Sequence, residues 1–343
     1  MVTLTDVARR AVVSVSVVSR VLNNDSAVRT RPETRERVLT AARELGYRPN
    51  HAGRALRSAK THTLALVVPD VFNSAFAPLF MGVQDEATAH DYVVLLARAE
   101  DTHADSSTVR HLITERRVDG LLLQKEDESD VHEWLSLNSA ATPIVMVNSG
   151  ETSGLPSVHL QDHQAGRLAT QTLLAAGHRR IGMINGLAGS GTAQDRHRGY
   201  LAAMTEAGCR PLKRWTTWGG YDRESGAAAT SVLMAQANRP TAVVVANVNA
   251  AMGVLLRARH TGVTVPEHLS VIAIHDVAAA DNTWPALSTI RMPMYELGQL
   301  GALSLLARIR GEEVALSTVT STPPTLVIRD SVRSFVEGSS TVV

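Results

Sequence analysis

Near the N-terminus, Ser16, Ser19, Arg20 and Asn23 all face outward when residues 3–23 are read at helical spacing. Small hydroxyls, an amide and a guanidinium grouped this way suit hydrogen bonding in a DNA groove. Two short helices must position them. Thr5 is placed to cap the first through its side-chain oxygen, so that Val7, Ala8 and Ala11 share an apolar face. Ser14 is placed to cap the second, in which Val18, Val21 and Leu22 recur at helical spacing. The pattern predicts a helix-turn-helix, although adjoining amphipathic helices also serve purely structural roles.

Composition narrows the choice. A chain of 343 residues divides into two or three domains, and 44% hydrophobic with 20% charged residues is ordinary for a soluble globular protein. A single cysteine, Cys209, excludes a disulfide framework and fits a reducing cytoplasm. The sequence has neither a basic-then-apolar leader pattern nor a membrane-length apolar run, so no membrane partner is expected. The net charge of +1 hides a division: residues 1–60 carry 12 Lys and Arg against 5 Asp and Glu, and the remainder is net negative. A basic head on an acidic body is the footprint of a nucleic-acid module joined to something else.

Further along, Thr30-Arg-Pro-Glu33 reads as a capping box that opens a third helix through Val38, Leu39, Ala42 and Leu45 to Gly46. Residues 47–50 read as an extended joint, because Pro49 disfavours helix before it. Residues 51–58 allow two helical turns at most, with Gly53 weakening them, so this segment should order only on binding. From residue 63, apolar runs at 64–68, 93–96, 120–123 and 144–147 alternate with helices near 77–90 and 106–117. A second series has runs at 181–184, 242–245 and 271–274 and helices near 164–176, 196–207, 224–236 and 250–261. The fold class is therefore α/β, with two doubly wound parallel sheets and a cleft at the carboxyl ends of their strands.

The motifs Thr3-Leu-Thr-Asp-Val-Ala8, Val18-Ser-Arg-Val-Leu-Asn23, Thr34-Arg-Glu-Arg-Val38 and Leu45-Gly-Tyr-Arg-Pro-Asn50 carry a resemblance that continues through the chain. Val68-Pro-Asp70 with Asn73 and Phe76, Gly177-His-Arg-Arg-Ile181 and Arg196-His-Arg-Gly-Tyr200 extend it. Pro266-Glu-His-Leu-Ser-Val271 and Pro285-Ala-Leu-Ser-Thr-Ile290 complete it. In these the chain resembles the lactose-repressor/galactose-repressor (LacI/GalR) family over nearly its whole length. The resemblance implies a cytoplasmic, nucleoid-associated homodimeric repressor of operator DNA, controlled by a small effector: a sugar, a sugar derivative or another polar or anionic metabolite. It implies a three-helix head at 1–49, a hinge at 50–61 and a periplasmic-binding-protein-like core at 62–335, ahead of a tail at 336–343. The core would have two lobes, 62–160 with 291–322 and 161–290 with 323–335, joined by three crossings of the chain. No cofactor or metal is implied.

Carried over residue by residue, the resemblance places Val15 and Ser16 at base-reading positions and Arg20 where a guanidinium fork suits guanine. Ser14, Ser19 and Asn23 suit phosphates, Thr5 and Asn50 join the DNA-binding set, and Leu56 falls on the hinge leucine that wedges into the minor groove. A surface pairing of Arg20 with Glu44 or a neighbour is the structural alternative. Phe76, Asp162, Ser190, Arg196, Tyr221 and Asn247 coincide with effector-contact positions, and His275 joins them. Here the alternatives are an Asp162–Arg196 pair across the cleft and a packing role for Tyr221.

Several residues depart from the family pattern. Val12 stands at the turn glycine, where a positive φ would strain a β-branched residue by roughly 1–3 kcal/mol. Val17 replaces a threonine, His275-Asp276 replaces paired acids, and Val248 replaces the acid after Asn247. With two acids lost, the effector is expected to carry an acceptor or anionic group facing a protonated His275, bound more tightly as pH falls through about 6.5. Alternatively, His275 turns away to pair with Asp276. A solute-binding protein would share the core but has no use for a basic head. An enzyme would need a catalytic motif, and no HExxH, GxSxG, Walker loop or Cys/His metal spacing occurs among the thirteen scattered histidines.

Overall fold

The computed structural model describes residues 2–22, 30–47, 60–98, 107–125, 142–149 and 156–334. The chain forms two compact units, Met1–Thr61 and His62–Val343. Asn23, Asn50, Gly53, Leu56 and the tail at 336–343 lie outside the described residues.

In the first unit, α1 (Leu4–Ala11), α2 (Val15–Leu22) and α3 (Pro32–Glu44) surround a small core of Val7, Ala8, Ala11, Val18, Val21, Val38, Ala41 and Ala42. The cap of α1 is Thr3 rather than Thr5. The Asp6 amide donates to Thr3 Oγ1 at 3.3 Å and the Thr3 amide donates to Asp6 Oδ2 at 2.9 Å. Asp6 can close this reciprocal box because it lies three residues beyond Thr3, whereas the residue three beyond Thr5 is Ala8. The expected box at Thr30 is also absent: α3 starts at Pro32 with Arg31 as an N-cap that makes no side-chain bond. Pro32 takes the first helical position, where its missing N–H costs nothing, and this leaves Glu33 one position short of the box. At the other end Gly46 has φ +61°, and the Tyr47 amide donates to the Ala42 carbonyl at 2.9 Å, a left-handed stop that closes the helix.

In the second unit, β1 (Thr63–Val68), β2 (Val93–Arg98), β3 (Gly120–Leu123), β4 (Ile144–Val147) and β5 (Ser157–His159) form one sheet with β11 (Ser317–Thr318). Its order is β11-β5-β4-β3-β1-β2, parallel throughout. The second sheet contains β6 (Ile181–Asn185), β7 (Thr216–Trp218), β8 (Ala242–Val245), β9 (Ser270–Ile274), β10 (Ser288–Arg291) and β12 (Thr325–Val327). Its order is β12-β10-β9-β8-β6-β7, and only β12 runs antiparallel. The chain passes from the first sheet to the second after β5, returns before β11 and passes over again before β12.

The helices are α4 (Phe76–Ala89), α5 (Ser107–Thr114), α6 (Asp162–Ala175), α7 (Gly191–Glu206), α8 (Arg223–Met234), α9 (Val248–His260) and α10 (Met294–Ile309). Of these, α10 has no counterpart in the expected series, and α7 begins five residues before position 196 because Ser190 caps it. α6 and α7 approach so closely that a Cβ on Gly166 would lie 2.1 Å from the Arg196 carbonyl oxygen. A Cβ on Gly199 would lie 2.0 Å from the His163 carbonyl oxygen, so each helix supplies a glycine to the other's backbone. That contact fixes the backbone of Arg196 relative to the start of α6. No described helix is long and apolar enough to cross a membrane.

Candidate functional site

On α2, burial of Val18 and Val21 turns Val15, Ser16 and Arg20 outward, and all three are exposed. Ser14 caps the helix as expected, accepting from the Val17 amide at 3.4 Å, and its hydroxyl lies 2.8 Å from that of Ser16. Ser19 is half-buried, and Thr5 is exposed on α1. Glu44 is taken by Arg10, through Nη2 at 2.7 Å and Nε at 3.0 Å, and not by Arg20. Val17 is half-buried against the head core, so the replacement of a hydroxyl there adds packing. Val12 has φ 53° and ψ 52°, and its side chain is 83% exposed. The strained turn anticipated for a β-branched residue is therefore present.

In the second unit the chemistry gathers at the carboxyl ends of the strands. Arg196, on α7 and 1% exposed, is held three ways. Its Nε donates to Asp162 Oδ1 at 2.7 Å, Nη1 donates to the Ala246 carbonyl at 2.7 Å, and Nη2 lies 3.1 Å from His275 Nε2. Asp162 opens α6, so its pair with Arg196 forms between helices on the second sheet and not across the cleft. Asn247 caps α9 by accepting from the Ala250 amide at 2.8 Å, and Ser190 caps α7 by accepting from the Ala193 amide at 3.4 Å. The Tyr221 hydroxyl lies 2.7 Å from Ser190 Oγ and 3.3 Å from Thr192 Oγ1, and burial pushes its pKa up. Its ring rests on Gly186, where a Cβ would come within 2.2 Å of it. Phe76 opens α4 and is buried in the main apolar cluster with Val68 and Leu79.

His275 follows β9 with φ +66°. Burial, and then the neighbouring Arg196 charge, hold its pKa well below the usual histidine range. The expected imidazolium is thus replaced by a neutral ring, because a second proton would be both desolvated and turned toward a guanidinium. The Asp276 alternative does not hold either. That carboxylate accepts from Thr289 Oγ1 at 2.7 Å and Arg291 Nη2 at 2.7 Å, with Arg329 Nη2 at 2.9 Å. Burial opposes its ionisation, but these partners outweigh burial and hold its pKa below the usual range.

Four residues absent from the expected set belong with these. Gln124 follows β3, Asn148 and Ser149 follow β4, and Asn185 ends β6. Gln124 Oε1, Asn148 Oδ1, Ser149 Oγ, Asn185 Oδ1 and His275 Nδ1 are all buried without a hydrogen-bond partner among the described residues. Leaving one such group unsatisfied costs about 1–3 kcal/mol, so a set of them at strand ends is the mark of a surface made to be satisfied by a polar molecule. The detectable signal is position: each residue falls one or two places after an apolar run, at the end of the strand where such sheets bind ligands.

Residues 3–50 match the family described as bacterial regulatory proteins, lacI family, and residues 170–332 match the periplasmic binding protein-like domain. The chain is 31% identical over 339 residues to catabolite control protein A of Priestia megaterium, covering 97% of this chain and 99% of that one. It is 33% identical over 334 residues to the HTH-type transcriptional repressor PurR of Erwinia tasmaniensis, covering 97% of each. Among solved structures, the lac repressor dimer bound to operator and the anti-inducer ONPF superposes with a TM-score of 0.83 at 26% identity. That match covers 97% of this chain and 99% of the other.

Proposed function

The chain belongs to the LacI family of bacterial regulatory proteins, and from that premise we propose a homodimeric repressor that holds a near-palindromic operator under the control of a small polar effector. It is a DNA-binding transcriptional regulator and not an enzyme. The observation that carries the DNA reading is the face of α2, where Val15, Ser16 and Arg20 stay exposed while Val18 and Val21 anchor the helix. Ser14, Ser19 and Thr5 flank that face, with Asn23, Asn50 and Leu56 assigned to the same surface and its hinge. One such helix reads too few bases for genomic specificity, so two copies are needed. The edge strand β2 supports this: Val93, Leu95 and Leu96 are 66%, 42% and 42% exposed, an apolar edge that a second chain would cover.

The effector would lie between the strand ends of the two sheets, against Phe76, Asp162, Ser190, Arg196, Tyr221, Asn247 and His275. The unpartnered polar atoms of Gln124, Asn148, Ser149 and Asn185 support that location. Such a regulator acts in the cytoplasm, on the nucleoid.

Fluorescence anisotropy with DNA fragments from upstream of the chain's own coding region tests the proposal. Binding should weaken steeply with salt, as phosphate contacts release counterions. Arg20→Ala should weaken it by about 1–3 kcal/mol and relax sequence preference at one position of each half-site. A truncated chain lacking residues 1–61 that held the fragment with undiminished affinity would overturn the proposal.

A further inference from the structure

We infer that His275 is the specificity-determining hydrogen-bond donor of the cleft, fixed in its Nδ1–H tautomer by Arg196 so that it reads an acceptor atom on the effector. The inference rests on the cleft being the effector site.

The tautomer follows from geometry. A guanidinium carries five N–H donors and no acceptor, so the 3.1 Å contact from Arg196 Nη2 requires a lone pair on His275 Nε2. The single ring proton is then on Nδ1. Arg196 cannot swing away to release it, because Asp162 and the Ala246 carbonyl hold the other two nitrogens and the α6–α7 contact at Gly166 holds its backbone. Arg196 is thereby a positioning residue, its charge matched by Asp162. What the ring offers is one N–H donor, buried and without a partner among the described residues.

The neighbouring groups have the opposite polarity. Asn185 ends β6, separated from β9 only by β8, and its unpartnered atom is the acceptor Oδ1. On the other sheet Gln124 Oε1 and Asn148 Oδ1 are acceptors at the ends of the adjacent strands β3 and β4, and Ser149 Oγ serves either way. A molecule that satisfies this set supplies hydroxyl donors to the amide oxygens and an acceptor to His275. That describes a polyhydroxyl compound with an acceptor facing His275 (a carbonyl, carboxylate or ring nitrogen, or the lone pair of a ring or hydroxyl oxygen), and it excludes a group that can only donate. An ammonium at the same place brings only donors and leaves the histidine proton unmatched.

The first measurement needs no effector. Long-range 1H–15N correlation of the full-length chain labelled with 15N-histidine at pH 7, with His275 assigned by its loss in His275→Gln, should show a neutral ring protonated on Nδ1. An Nε2–H tautomer or an imidazolium would overturn the inference. Arg196→Met should collapse the pattern to a tautomer mixture, and an unchanged Nδ1–H signature would remove Arg196 from its role.

The same sample is then titrated with D-gluconate, D-ribono-1,4-lactone, inosine and D-glucosamine, which separate carboxylate, carbonyl, ring-nitrogen and ammonium chemistry. An acceptor compound should move the His275 Nδ1 resonance, bind His275→Asp at least about tenfold more weakly, and recover with His275→Asn, whose amide restores a donor. Equal binding to wild type and His275→Asp, or preference for glucosamine, would overturn it. If none of the four moves any cleft resonance while the tautomer is as expected, what fails is the effector reading of the cleft and not the histidine assignment.

Discussion

Replacing Val12 with glycine should stabilise the head. Val12 sits at φ 53° and ψ 52° in the turn between α1 and α2, and its amide and that of Val13 close the helix onto Arg9 and Ala8. A β-branched side chain in the left-handed region costs about 1–3 kcal/mol. Glycine removes that strain but adds unfolded-state freedom worth about 0.5–1 kcal/mol. Little burial is lost in exchange, because the valine is 83% exposed. The net expectation is a gain of about 1 kcal/mol, a factor of about five in the folded population. Hydrogen exchange on the full-length chain, followed in peptides spanning α1 and α3, reads this as slower exchange by that factor. Val12→Asn should gain less, since asparagine tolerates the left-handed region, and Val12→Ala least, since its Cβ remains. If Val12→Gly leaves protection unchanged or lowers it, or if Val12→Ala gains as much, strain at this turn is not what limits the head.

Other perturbations test the core. His178 is buried between Thr241 Oγ1 and Ser270 Oγ, each 2.9 Å from a ring nitrogen, and burial pushes its pKa down to about 4. Its contribution is full above the unfolded value near 6.5 and disappears as pH falls toward the folded value, a loss of about 3 kcal/mol. Urea midpoints at pH 7 and 4.5 should therefore converge in His178→Gln relative to wild type; equal pH slopes would refute this. Gly166→Ala places a Cβ 2.1 Å from the Arg196 carbonyl oxygen, so α6 and α7 must part at a cost of about 3 kcal/mol; an unchanged Tm would refute the close approach. Asp162→Asn leaves Arg196 buried without its counter-charge and should cost about 3–5 kcal/mol in chemical denaturation, with Arg196→Met added in the same chain recovering part of it. Simple additivity of the two would refute their coupling.

The fold was legible where burial is two-sided. β1, β3, β4, β6, β8 and β9 are covered on both faces, so they appear in sequence as apolar runs whose ends match the strands to within a residue or two. The short strands β5, β7, β11 and β12 have only two or three residues, among them serines, threonines and a histidine, and leave no such run. α10 is hidden in the sequence for a related reason. Its buried residues include Gly298, Gly301 and Ser304, small or polar positions pressed against α4 and the first sheet, which blur the helical period. Two helix starts differ from the expected caps: α1 is capped by Thr3 in place of Thr5, because only Thr3 has an acid three residues on, and α3 starts at Pro32 after Arg31 in place of Thr30.

The site was legible by position and not by state. Resemblance located Asp162, Arg196 and His275, but whether the arginine faces a ligand or its own protein depends on contacts spanning 34 and 79 residues of sequence. Once Asp162 and Ala246 occupy two of its nitrogens, the third sets the proton on His275, and the polarity of the cleft wall changes with it. A carboxylate at position 275 would accept from Arg196 and from a ligand hydroxyl together, whereas the neutral imidazole accepts from the arginine and has only a donor left. One substitution at the end of β9 thus exchanges an acceptor for a donor on the cleft wall. Everything that makes the exchange firm is supplied by the same lobe: the Asp162 pair, the Ala246 carbonyl and the glycine contact that locks α6 to α7.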